Sequence, residues 1–157
     1  MESNRAMKMI GKVILFTWLV TLVCFCSHKK DLEGSMANPV VYFEIPVSNL
    51  DRAIHFYSTV FSFTFEKTSL DGNEMALFPF VDGSSHISGA LAKGKTYRPS
   101  KEGTLVYFQS EDITSTLKKV VSEGGFILYP RTRIEFGFVA EFQDSEGNRV
   151  ALFEKEK

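Results

Sequence analysis

A strand pattern that runs straight into an amphipathic helix occurs twice in this chain, and no other feature limits its fold as much. In the first copy, residues 40–46 are β-branched and aromatic, as a half-buried strand requires. Ser48 and Asn49 then offer capping side chains, and Leu50, Ile54, Tyr57 and Phe61 follow at helical spacing on one face. In the second copy, residues 104–110 make the strand, Asp112 stands at the cap, and Ile113, Leu117, Val120 and Val121 make the helical face. Val41, Tyr42, Phe43 and Glu44 match Val106, Tyr107, Phe108 and Gln109 at an offset of 65, whereas Leu50, Ile54 and Phe63 match Ile113, Leu117 and Phe126 at 63. The difference falls in the strand-to-helix turn. A period this long, seen only twice, does not fit a solenoid, whose units repeat every ~20–50 residues. It fits a duplicated half-domain whose copies pack on each other.

The rest of each copy can be read in order. Residues 63–67 alternate apolar and polar like a strand with one wet face, Asp71-Gly72-Asn73 signals a hairpin, and residues 74–80 return as a strand. After a turn at residues 82–85, residues 87–92 form a fourth short strand. Residues 93–103 are polar, with Gly94, Pro99 and Gly103, and link the halves. In the second half, Gly124-Gly125 stops the helix, residues 126–131 and 136–142 are strands, Asp144 to Asn148 is a turn, and residues 149–154 are the last strand. The expected fold class is α+β, with βαβββ written twice: one module at about residues 39–92, the other at about 104–155.

Residues 1–35 differ in composition. Arg5, Lys8 and Lys12 precede an uncharged, mostly apolar run at residues 13–26, and Lys29-Lys30 close it. This is the pattern of a secretory signal, and the run is short for a membrane span of about 20 residues. Two readings stay open: a signal or anchor that exports the protein or attaches it to a membrane, or a non-native extension ahead of a cytoplasmic protein starting at Met36. Both cysteines, Cys24 and Cys26, lie in this leader, so the domain at residues 36–157 contains no disulfide. That domain carries 13 basic against 16 acidic residues with no basic run, which sets nucleic-acid binding aside.

Three motifs carry a resemblance to a known family: Pro46-Val47-Ser48-Asn49-Leu50-Asp51-Arg52-Ala53 with Phe56-Tyr57, then Gly124-Gly125, then Asp144-Ser145-Glu146-Gly147-Asn148. With them the chain resembles the vicinal oxygen chelate superfamily, which includes glyoxalase, extradiol dioxygenases, fosfomycin-resistance enzymes and bleomycin-binding proteins. The resemblance implies two βαβββ modules whose sheets curl into an open, U-shaped barrel-like cleft. In the enzymes the cleft holds a divalent metal on the first and fourth strands of each module. Carried onto this sequence, those positions are Tyr42, a residue within 88–91, Leu105 or Tyr107 depending on register, and Ala151. Methyl and alkyl groups cannot ligate a metal, so neither a metal nor another cofactor is expected.

Of the domain's histidines, His55 lies on the first helix and His86 in a turn, and neither rebuilds the missing set. Glu44 lies two residues after Tyr42, so the strand period puts both on one face. A carboxylate in an aromatic-walled cleft needs a partner or titrates upward. Arg149 is the expected partner, with Gln109, beside Tyr107, as a neutral one. Tyr42, Glu44, Tyr107, Gln109 and Arg149 are therefore the candidate ligand-binding residues, the two tyrosines offering flat rings with polar tips. The expected function is metal-free binding of a small organic molecule. The alternative is a lyase or isomerase built on a non-standard metal set around Glu44 and His86, or on Glu44 as an acid-base group. A homodimer is a further expectation, since relatives of this fold build their cavities within one chain or across two.

Overall fold

The computed structural model describes residues 40–83 and 87–157; the leader and His86 lie outside the described residues. β1 (Tyr42–Pro46) leads into α1 (Leu50–Phe61), then β2 (Glu66–Leu70), β3 (Asn73–Leu77) and β4 (Ser88–Lys93). The order repeats as β5 (Tyr107–Gln109), α2 (Ile113–Ser122), β6 (Phe126–Ile134), β7 (Gly137–Gln143) and β8 (Arg149–Lys155). Two four-stranded sheets result, ordered β1-β4-β3-β2 and β5-β8-β7-β6. In each, the first strand runs parallel to the fourth and the other neighbours are antiparallel. The fold is α+β with two βαβββ modules, and neither sheet closes on itself.

Local chemistry sets both helices. Asn49 caps α1 by accepting from Arg52 N–H at 3.0 Å, and Asp112 caps α2 by accepting from Ser115 N–H at 3.1 Å. The buried stripe of α1 is Leu50, Ala53, Phe56, Tyr57 and Val60, and that of α2 is Ile113, Leu117 and Val120. Val121, expected on that face, is instead exposed. The helices and the inner faces of both sheets share one core, which runs from Ile45 and Val47 to Val150 and Leu152. At its centre, Phe61 and Phe108 from opposite modules approach to 5.1 Å between ring centroids.

Several boundaries differ from the sequence pattern, among them the end of β3 at Leu77 and of β6 at Ile134, and packing explains the shift at β2. The strand expected at residues 63–67 begins its pairing only at Glu66. Phe63 stacks on Phe61 at 5.2 Å and Phe65 lies 5.0 Å from Phe78, so both aromatics turn into the core before the ladder begins. β5 is shorter than residues 104–110: ahead of Tyr107 the chain keeps only a hydrogen bond from Ala151 N–H to the Val106 carbonyl, at 2.9 Å.

The turn at residues 144–148 ties the modules together. Buried Asp144 accepts from Tyr57 O–H of α1 at 2.8 Å and from the Glu146 and Asn148 backbone N–H groups at 2.9 and 2.8 Å. Asn148 Nδ2 donates to the Pro46 carbonyl of β1 at 2.8 Å. Glu146 reaches the start of α1, accepting from Ser48 and Asn49 N–H at 2.9 Å each and from Arg52 Nε at 2.7 Å. An acidic group at a helix N-terminus also matches the helix dipole. Each sheet thus has one face held on the common core and a second, outer face away from it.

Candidate functional site

Register decides which side chains share the outer face of the first sheet. Tyr42 stands opposite Ser88, Glu44 opposite Ala90, and Pro46 opposite Ala92, while Met75 and Leu77 continue the same face across β3. Phe43 and Ile45, between them, point into the core. Tyr42 and Glu44 therefore share a face, as their spacing required. Gly89, opposite Phe43, permits the close approach of β1 and β4, because a Cβ there would collide with the Phe43 carbonyl oxygen.

A cavity of about 430 Å³ opens over β1 between the modules. Tyr42 and Glu44 enter it from β1, Arg149 from β8, and Arg98 and Ser100 from the connecting segment. Tyr107 and Gln109 do not join them. Those two line a separate depression of about 440 Å³ on the second sheet, with Ile134, Val139 and Phe153. Three of the five expected site residues thus share one cavity, and two face another.

The expected ion pair between Glu44 and Arg149 is not formed. Glu44 Oε2 accepts from Tyr97 O–H at 2.6 Å, and Arg149 donates to Glu141 at 2.7 Å. The β7–β8 register places Glu141 one diagonal from Arg149 on the same sheet face, nearer than a carboxylate of the other module. Nor does Gln109 take up the role of neutral partner. Tyr97 was not legible as a site residue, since it lies in the polar stretch read as a linker. It is the sole aromatic of residues 93–103, a signal that could have singled it out. Arg98 belongs to the same missed segment; its guanidinium donates to the Tyr97 carbonyl at 2.9 Å.

The electrostatics keep the phenols as donors. Burial, then the neighbouring Glu44 carboxylate, raise the Tyr42 pKa. The Tyr97 pKa is raised first by its hydrogen bond to Glu44 and then by burial. Both hydroxyls therefore stay protonated at neutral pH. Outside the cavity, His55 Nε2 lies 3.1 Å from Glu123 Oε2 on an exposed helix surface.

Register also resolves the metal-ligand positions that the resemblance implies. Tyr107 stands opposite Ala151 just as Tyr42 stands opposite Ser88, so the four positions are Tyr42, Ser88, Tyr107 and Ala151, and Leu105 drops out. Ser88 Oγ already donates toward the Phe78 and Pro79 carbonyls, at 3.3 and 3.0 Å. Two phenols, an engaged hydroxyl and a methyl group do not fit a divalent ion that takes imidazole and carboxylate ligands. Among the described residues, no group of three or more His, Cys, Asp or Glu side chains gathers elsewhere.

Comparison with known proteins places this geometry in context. Among curated proteins no sequence match is found. Among solved structures, a glyoxylase/bleomycin resistance protein/dioxygenase domain from Frankia sp. EAN1pec superposes with a TM-score of 0.59 at 16% identity, over 76% of this chain and 98% of that one. TnmS3, an antibiotic binding protein from Streptomyces sp. CB03234, gives 0.55 at 19% identity, over 77% and 99%. A glyoxalase I mutant from Zea mays gives 0.57 at 19% identity, over 74% of this chain and 46% of that longer one. At these identities the likeness is one of fold. A family model matches residues 40–152, which include both modules and the cross-module turn, and by that match the chain belongs to the Glyoxalase/Bleomycin resistance protein/Dioxygenase superfamily.

Proposed function

We propose that this chain binds a small organic molecule over β1, by shape, ring contact and hydrogen bonding, without a coordinated metal. The observation that carries the reading is the contrast between a kept scaffold and an altered donor set. Both modules and the cavity between them are present, while the four implied ligand positions hold Tyr42, Ser88, Tyr107 and Ala151. The cavity offers a phenol ring at Tyr42, an acceptor at Glu44 and cations at Arg98 and Arg149, the mixture of apolar wall and few polar groups that suits a small ligand. The fold likeness to the antibiotic binding protein TnmS3 is consistent with such a role.

Thermal unfolding of the full chain with a panel of planar neutral, anionic and cationic compounds tests the reading. A ligand at 100 times its Kd stabilises the folded state by about 2.7 kcal/mol. At least one class is expected to raise Tm, and Tyr42→Ala is expected to abolish that rise. Indifference to every class contradicts the proposal.

A further inference from the structure

The outer face of the first sheet is already covered, in part, by the chain itself. Met75, Ala90 and Ala92 are fully buried on that face, away from the main core, and the groups packed on them include Leu77 and the ring of Tyr97. The ring lies on a floor of two methyl groups and a thioether, and its hydroxyl reaches Glu44 Oε2 at 2.6 Å. A flat ring on a small-residue floor with its O–H on a carboxylate is a complete phenol-binding arrangement, and the occupant is a side chain of the protein.

The segment that carries Tyr97 is held at its ends. β4 stops at Lys93, and the chain is next fixed at Ser100, whose N–H donates to Asn148 Oδ1 at 3.0 Å and whose carbonyl accepts from Arg149 N–H at 3.3 Å. Across residues 94–99, among the described residues, the Tyr97 hydroxyl makes the one side-chain hydrogen bond to a strand, since Arg98 donates to its neighbour's carbonyl. One cavity opens on either side of this arch, and Arg98 lines both. Lifting the Tyr97 ring breaks one hydrogen bond and uncovers the floor while both anchors stay in place.

We infer that Tyr97 is a displaceable internal ligand: the site takes a hydroxyaromatic molecule in exchange for the Tyr97 ring, its hydroxyl donating to Glu44. This rests on the small-molecule reading above and names the ligand class. The chemistry selects for it on two counts. Glu44 Oε2 accepts from the Tyr97 hydroxyl, so a ligand that takes its place must bring a donor. The Ala90 and Ala92 floor leaves the thickness of a ring, and Arg98, which lines the cavities beside it, suits an acidic substituent on it.

The test is binding of p-cresol, the Tyr97 side chain as a free molecule, by calorimetry to the full chain and its variants, with circular dichroism as the check of folding. A plug seated nine-tenths of the time weakens apparent affinity about tenfold. Tyr97→Ala is therefore expected to bind p-cresol at least about tenfold tighter than the unaltered chain. Tyr97→Phe, which keeps the ring and loses only the hydroxyl, should fall between them; it carries the test if Tyr97→Ala does not fold. In the Tyr97→Ala background, adding Glu44→Gln should weaken p-cresol and leave toluene, which has no donor, unchanged. Equal p-cresol affinity with and without the Tyr97 hydroxyl overturns the inference, as does a failure to tell p-cresol from toluene. If a panel compound binds the unaltered chain and gains nothing from Tyr97→Ala, the plug is overturned and the binding function survives. If p-cresol fills the Tyr97→Ala site while no compound, p-cresol included, binds the unaltered chain, the ring covers the site without being displaceable, and both the exchange and the binding function fail.

Discussion

The Tyr57 hydroxyl donates to Asp144 Oδ2 at 2.8 Å, a fully buried bond across 87 residues of chain that ties the first helix to the turn before the last strand. Burial drives the Asp144 pKa up against the opposing hydrogen bonds from Asn148, Tyr57 and Glu146, and the net direction is upward. Burial, then the Asp144 charge, push the Tyr57 hydroxyl well above its ordinary range, so it remains a donor.

Removing the donor alone should therefore be costly. Tyr57→Phe leaves the ring in the core and deprives a buried carboxylate of one partner, a loss of about 1–3 kcal/mol. Urea unfolding monitored by circular dichroism measures it. A variant as stable as the parent contradicts the account of the joint.

Glu146 supplies a pH dependence of known sign. Burial raises its pKa, but hydrogen bonds from Arg52, Asn49 and Ser48 outweigh that, and the net direction is downward. A carboxyl whose folded pKa lies below its unfolded value stabilises the fold above the unfolded value, and that contribution disappears as pH falls through the folded one. Asp144, shifted the other way, contributes at low pH and loses its contribution as pH rises through its folded value. Glu146→Gln removes only the first effect. Urea midpoints taken from pH 7 down through the ordinary carboxylate range of about 4 should fall less steeply for Glu146→Gln than for the parent. Parallel curves refute the assignment.

Gly89→Ala tests the spacing that sets the site. The added methyl meets the Phe43 carbonyl, which cannot move without parting β1 from β4. Overpacking of this kind costs about 1–3 kcal/mol. Ligand affinity at Tyr42 and Glu44 should fall along with the urea midpoint, whereas an unchanged midpoint shows that the strands have room.

The two cavities make separate predictions for the two tyrosines. Tyr42→Ala should weaken any ligand found by thermal shift, and Tyr107→Ala should leave its affinity within about twofold, since Tyr107 lines the other depression. Calorimetry on both variants checks this. A loss of equal size at Tyr107 places the ligand across both sheets.

Much of the fold was legible because it rests on local and periodic signals: the caps at Asn49 and Asp112, the alternation that puts Tyr42 and Glu44 on one face, and the repeat itself. The site was less so. Pairing of Arg149 with Glu141 depends on the register of a hairpin, and periodicity alone does not give that register. Tyr97 reaches Glu44 across 53 residues by an arch with no regular pattern. The strand at residues 63–67 moved because two phenylalanines were drawn into the core, a tertiary effect that local alternation does not register.

Metal stoichiometry is the most direct test of whether the scaffold works without an ion. The full chain and Glu44→Gln are dialysed in turn against micromolar Zn²⁺, Mn²⁺ and Ni²⁺, and bound metal per protein is measured by elemental analysis. With tyrosines, a serine and an alanine at the four ligand positions, the ratio should stay well below one and be the same for both proteins. One tightly held ion per chain, lost in Glu44→Gln, would contradict the account and return the protein to the metal-dependent members of its family.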